Sequence, residues 1–263
     1  EAPRATTAQL ARAHDRGYVE RVLASVPPQG HLHLDPDTVI SPGSDEAALR
    51  AAGALVAAVD AVVAGEARNA FCAIRPPGHH AERGQAMGFC LFNNVAVGAL
   101  HARAAHGLGR VAVVDFDVHH GNGTQHMFER DPALFYASTH QWPHYPGTGA
   151  PGETGVGNVV NAPLAPHSGG REFRAAVLRK VLPALDAFAP DLMIVSAGFD
   201  AHHADPLANL ALDEADYAWV TAELCALAKR RCAGRVVSAL EGGYDLAALA
   251  ASAAAHVGAL MAA

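Results

Sequence analysis

The stretch 111-VAVVDFDVHHGNGT-124 begins as an unbroken apolar run and ends in Asp115, Asp117, His119 and His120 before dissolving into glycines. Consecutive apolar residues without polar alternation predict a parallel strand buried on both faces. Ionisable side chains at the end of such a strand carry a desolvation cost on the order of several kcal/mol per unpaired charge. A metal, a polar network or a catalytic need for both must hold them there. Asp115, Asp117 and His119 are spaced i, i+2, i+4, so an extended chain points all three to one face.

The pattern recurs along the chain. "AFCAI" (70–74), "RVAVVDF" (110–116), "ALFYAS" (133–138), "DLMIVSAG" (191–198) and "RVVSAL" (235–240) read as strands. Helices are predicted over 45–65, 93–107, 170–189, 213–232 and 245–261, with Ser44, Asp45 and Glu46 favouring the start of the first. The expected fold class is therefore α/β: a single domain over residues 1–263, with a mostly parallel central β-sheet and helices on both faces. "IRPPGHH" (74–80), "DFDVHHGNG" (115–123), "GFDAHHADP" (198–206) and "EGGYD" (241–245) each follow a predicted strand. In open α/β sheets that carboxyl-terminal edge is where ligands bind. The segment 140–158 is too long and too rich in Gly and Pro to be a simple connection, which marks it as either a functional or a disordered loop.

Bulk properties narrow the function classes. A chain of 263 residues, 51% hydrophobic and 17% charged, suits a globular protein with a thick interior. A net charge of −7 argues against a general nucleic-acid or anionic-membrane partner. The Ala-rich run 47–64 is interrupted by Arg50 and Asp60, which makes it a core helix rather than a membrane span. No secretory leader pattern opens the sequence. Cys72, Cys90, Cys225 and Cys232 show no CxxC spacing, and reduced thiols in a cytoplasmic protein are expected.

The polar residues suggest chemistry. Asp117 and His119 form a D-x-H pair able to share one metal, and Asp200 can supply a third ligand across the crevice. Two carboxylates and one imidazole leave a position open for water, as catalytic sites do. Fe2+, Co2+ and Mn2+ suit this donor set as well as zinc. His79 and His80 fit a general base and general acid. Asp115 and Asn122 are available to orient them, the Asp keeping its His more cationic than the Asn would. Tyr244 is either core or a donor to a developing oxyanion. His202 and His203 read as solvated rim residues, His140 and His144 as residues of the mouth, and Cys90 as a small core residue. The sum is metal-assisted hydrolysis of a carbonyl compound, most simply an amide.

Six motifs in fixed order, "RPPGHHA" (75–81), "GFCLFNNVA" (88–96), "DFDVHHGNGTQ" (115–125), "YPGTG" (145–149), "SAGFDAHHADPL" (196–207) and "EGGYD", resemble the zinc-dependent histone deacetylase family of the arginase–deacetylase fold. Asn122, where many eukaryotic nuclear members carry Asp, points to the class II and bacterial branch. The resemblance implies zinc ligands Asp117, His119 and Asp200. It implies an acid–base pair, His79 with Asp115 and His80 with Asn122, and a carbonyl-polarising Tyr244. Gly88, Phe89, Tyr145 and Leu207 would line a tunnel for an acetylated side chain, with Tyr145 where Phe is commoner. Two structural potassium positions are implied, one at Asp115, Asp117, His119, Ser138 and Thr139, the other at Phe128, Asp131 and Leu134. Family members begin with a strand and loop ahead of "LARAHDRGYVERV" (10–22) that this chain lacks, so the sheet edge and pocket rim are expected to differ.

Three readings compete: a deacetylase of acetyl-lysine in proteins or peptides, a deacetylase of small N-acetyl amines such as acetylpolyamines, and an inactive metal-binding scaffold. The absence of an insertion narrowing the entrance disfavours a dedicated polyamine enzyme. The scaffold is disfavoured because every catalytic position is filled.

Overall fold

The run that opens at Val111 forms the central strand of a six-stranded sheet in a computed structural model that describes residues 1–263. The strands are β3 (Asn69–Cys72), β4 (Val111–Asp115), β5 (Leu134–Gln141), β6 (Val159–Leu164), β7 (Leu192–Ala197) and β8 (Val236–Leu240); a small antiparallel hairpin, β1 (Leu32–His33) and β2 (Val39–Ile40), stands apart. The order across the large sheet is β3-β8-β7-β4-β5-β6, and every pairing is parallel.

Alternation along each strand divides the side chains between two cores. Val111, Val113, Tyr136 and Ile194 pack on one side, with Leu55 and Val59 of α3 (Ser44–Val63) and Val95 and Ala99 of α4 (Asn94–His106). Ala112, Val114, Phe135 and Met193 pack on the other, with Tyr217 and Leu224 of α8 (Glu214–Arg231) and Leu260 of α9 (Leu246–Met261). A two-residue period with both faces covered is why the strands read as continuous apolar runs. No helix is long and apolar enough to cross a membrane.

The five predicted strands and five long helices are present, with four differences of physical interest. The edge strand β6 escaped the sequence reading because "VVNAPL" contains Pro163, which only an edge strand tolerates well. The helix expected over 170–189 is interrupted: α6 (Gly170–Ala176) and α7 (Leu182–Phe188) flank a π-helical turn at Val177–Val181. Pro183, lacking an N–H, cannot close the regular ladder there. Ser44 is the first residue of α3 rather than its cap; left-handed Gly43 precedes it, and Asp45 and Glu46 occupy the first turn as expected. A short helix, α5 (Asn122–Phe128), starts inside the glycine-rich end of the opening motif.

Topology then decides where the polar residues meet. The chain lays β4, β5 and β6 outward in one direction and returns through β7 and β8 in the other. Connections leaving the carboxyl ends of β4 and β7 diverge, and the crevice between them is the topological switch point of the sheet. The packing that holds this junction is tight. Replacing fully buried Ile194, in the centre of β7, by Ala is expected to lower unfolding free energy by about 2–5 kcal/mol, measured by urea denaturation.

Candidate active site

At the switch point the ends of β4 and β7 bring together Asp117, His119 and Asp200. Their ligand atoms all lie within 4.8 Å of one another. His119 Nδ1 sits 3.1 Å from Asp117 Oδ1 and 3.2 Å from Asp200 Oδ2. Main-chain donors fix the other carboxylate oxygens: Gly242 N–H donates to Asp117 Oδ2 at 2.8 Å, and Val118 N–H to Asp200 Oδ1 at 2.9 Å. Asp200 Oδ2 is buried without a hydrogen-bond partner. Gly242 admits this approach because a Cβ there would collide with Asp200.

The electrostatics describe a site waiting for a cation. Burial and the neighbouring Asp117 raise the Asp200 carboxyl to about 6. Burial alone would lower the His119 pKa, but a hydrogen bond to Asp117 and the close Asp200 carboxylate lift it to about 10. A proton on His119 thus holds the place where positive charge is required. Buried donors of this kind, with one orphaned oxygen, fit a divalent metal such as zinc. A second cluster, Asp60, His101 and His106, has similar spacing but not the same need. Arg12 donates to His101 Nδ1 at 2.6 Å, so the ring carries its proton on Nε2 and donates it to Asp60 at 2.7 Å. That group is satisfied without an ion.

The connection after β3 supplies the adjacent histidines, with ring centroids 4.0 Å apart. His79 Nδ1 donates to Asp115 Oδ2 at 3.0 Å, and His80 Nδ1 to Asn122 Oδ1 at 2.8 Å, the pairing expected from sequence. Burial works against charge on both rings. At His79 the carboxylates of Asp117, Asp115 and Glu241 overcome it and raise the pKa well above the ordinary imidazole value. At His80, burial and the facing His79 and His119 hold it well below. The two adjacent rings are thus pushed in opposite directions, His79 toward the imidazolium and His80 toward the neutral ring.

These groups border a cavity of about 230 Å³. Gly88, Phe89, Tyr145 and Leu207 all line it, as the resemblance implied, and the last three are partly exposed at its rim. Gly88 has φ 57°, and a Cβ there would strike the His80 ring; Phe89 follows with φ 66°. Two consecutive left-handed residues place an aromatic wall against Tyr244, ring centroids 6.0 Å apart. Tyr145 stands edge-on to His80 at 5.2 Å. Burial raises the Tyr244 pKa, keeping its hydroxyl a proton donor.

Several residues depart from the sequence reading. His202 is buried rather than solvated, with Nδ1 accepting from Ala204 N–H at 3.1 Å. His140 is fully buried, bonded to Ser138 and the Gly149 carbonyl, and does not reach the mouth; His144 does, stacked on His119 at 5.2 Å. Cys90 is a small core residue as expected. Ser138 and Thr139 lie buried on β5, whose Ser138 pairs in register with Asp115. The carbonyls of Phe128, Asp131 and Leu134 converge, but on the side chain of Asn158.

Three contributors were missed. Glu241 is fully buried, its Oε2 accepting from Gly78 N–H at 2.6 Å and His79 N–H at 3.2 Å, and burial raises its carboxyl to about 7. It ties the histidine loop to the loop bearing Tyr244. A Glu directly after the apolar run "RVVSAL" was the available signal. Tyr136 donates to Asp115 Oδ2 at 3.0 Å, and Asp37, from the β1–β2 hairpin, borders the cavity and accepts from Gly88 N–H at 3.0 Å. Neither carries a local sequence signal.

Comparison with known proteins identifies the family. The histone deacetylase domain family matches residues 1–260. Histone deacetylase-like amidohydrolase of Pseudomonas aeruginosa is 45% identical over 249 residues, covering 93% of this chain and 65% of that protein. Histone deacetylase 14, chloroplastic, of Arabidopsis thaliana is 42% identical over 262 residues, covering 94% of this chain and 62% of that protein. The crystal structure of the HDA15 HD domain superposes with a TM-score of 0.95 at 39% identity, covering all of this chain and 74% of that one. The chain belongs to the histone deacetylase family, whose chemistry is metal-dependent deacetylation.

Proposed function

We propose that residues 1–263 form a single zinc-dependent deacetylase domain, which hydrolyses the acetamide of acetyl-lysine side chains in proteins or peptides and releases acetate. The observation that carries this reading is the cluster of Asp117, His119 and Asp200 beside a cavity that His119 lines together with His79, His80 and Tyr244. Asp117, His119 and Asp200 would hold the ion, which supplies Lewis-acid activation of water and of the substrate carbonyl. Phe89 and Tyr145 support an aliphatic chain passing between aromatic walls.

The chain's own residues account for the proton movements. Neutral His80, braced through Nδ1 by Asn122, accepts a proton from the attacking water. Tyr244 donates a hydrogen bond to the acetyl oxygen as negative charge develops there. His79, held cationic by Asp115, Asp117 and Glu241, stabilises that charge, and an imidazolium in this pair protonates the departing amine. Four buried, free cysteines suit a reducing compartment, and we place the activity in the cytoplasm. Structural potassium at the first implied position, beside Asp115 and Ser138, is part of the same proposal.

The test is acetate release from acetyl-lysine peptides, acetylpolyamines and simple acetamides by zinc-loaded protein, beside an Asp200→Ala control. Turnover of peptides that is lost in the control is expected. Turnover of polyamines alone would transfer the assignment to small amines, and none on any class with zinc bound would favour a scaffold. Tyr244→Phe is expected to lower kcat by about 10²–10³ while metal content is unchanged, because only a transition-state donor is removed. Metal uptake at neutral pH is expected to release a proton from His119, read by titration calorimetry in buffers of different ionisation enthalpy. Absence of proton release would place His119 outside the ligand set.

A further inference from the structure

The family resemblance implies a second monovalent cation held by the main-chain carbonyls of Phe128, Asp131 and Leu134. Those carbonyls surround a side chain of the protein itself. Asn158 Nδ2 donates to Phe128 O at 2.8 Å, to Asp131 O at 3.0 Å and to Leu134 O at 2.6 Å. Two N–H groups serve three acceptors, so one proton is shared between two carbonyls.

The orientation of the amide is settled by its other end. Asn158 Oδ1 accepts from Val156 N–H at 3.2 Å, so turning the group over would break that bond and set an oxygen against three carbonyl oxygens. Asn158 is only 5% exposed. Gly155, with φ 57°, brings the loop this close; a Cβ there would lie 2.6 Å from Asn158 Oδ1 and 2.7 Å from Glu129 O. The Asn158 carbonyl is committed as well, accepting from Tyr136 N–H at 3.0 Å. A nitrogen within hydrogen-bond reach of all three carbonyls stands where a coordinated cation would have to stand. The two cannot share the cage.

We propose that the Asn158 carboxamide closes this cage, so that the chain binds no second potassium ion and fixes the α5–β5 connection with a covalently attached donor instead. The consequence reaches the catalytic face through α5. Asn122 at its first turn receives His80, while Phe128 at its last residue is held by Asn158. The seat of the helix that braces His80 is then independent of ambient monovalent cations at this end. The first implied position, at Ser138 and Thr139, is untouched by the argument.

The test is crystallographic. Crystals of the metal-loaded full chain, grown with rubidium chloride as the monovalent salt, are measured at the rubidium absorption edge. No anomalous peak is expected within bonding distance of the Phe128, Asp131 and Leu134 carbonyls, and amide density is expected among them. A rubidium peak there, with Asn158 swung aside, overturns the proposal without recourse to any variant. Asn158→Ala is expected to acquire that peak and to gain more in melting temperature than the wild type when potassium replaces tetramethylammonium. A variant with no peak and no extra gain would show that the cage has no affinity for a cation, and exclusion by Asn158 would then be refuted.

Discussion

Four carboxyl groups, Asp115, Asp117, Asp200 and Glu241, lie fully or almost fully buried at the carboxyl ends of adjacent strands, and the rest of the architecture is arranged around balancing them. Bringing that much negative charge out of water is unfavourable by several kcal/mol per ion, as an order of magnitude, unless donors and cations face it. The main chain supplies donors from three separate segments: Gly78 and His79, Asp117 to His119, and Gly242. The carboxylates in turn push His79 and His119 toward their protonated forms. The site is thus a charge-compensation problem whose natural solution is a divalent cation.

A parallel sheet is suited to that problem. All its strands end on the same edge, so residues far apart in sequence deliver their polar ends to one place while both faces remain apolar. The reversal between β4 and β7 opens a gap wide enough for side chains to converge rather than pair. Glycines at 121, 198 and 242 complete the approach. A Cβ at any of them would meet a buried carboxylate of the cluster. The tight backbone packing that results leaves little room for the carboxylates to relax away from one another.

Within this frame two chemically identical side chains acquire opposite states. His79 faces Asp115 and lies near Asp117 and Glu241, whereas His80 faces the neutral amide of Asn122 and has two histidines for neighbours. The difference is set by partners on other elements, not by the Gly-His-His sequence. Glu241 adds a mechanical link, since its carboxylate anchors the histidine loop while its own chain continues to Tyr244. Displacement of one loop is therefore felt by the other.

Much of this was legible in the sequence, for identifiable reasons. Unalternating apolar runs exposed five of the six parallel strands, and polar clusters after four of them located the catalytic edge. Spacing within "DFDVHHGNG" was enough to suggest Asp117 and His119 as partners, although β4 ends at Asp115 and the two meet across bends rather than on an extended segment. What depended on non-local packing stayed hidden. Asp37 reaches the cavity from the loop joining the two short strands β1 and β2, Tyr136 meets Asp115 across the sheet, and Asn158 enters a cage of carbonyls formed by a turn more than 20 residues upstream. His202 and His140 looked like loop residues, and only packing shows them buried. By itself the sequence determined the fold class and the edge on which the polar residues gather, since these follow from local periodicity and from where the apolar runs end. Only the tertiary structure decided in which direction each ionisable group is shifted and which side chain sits among the Phe128, Asp131 and Leu134 carbonyls, because desolvation and charge balance are properties of everything packed around a group rather than of its neighbours along the chain.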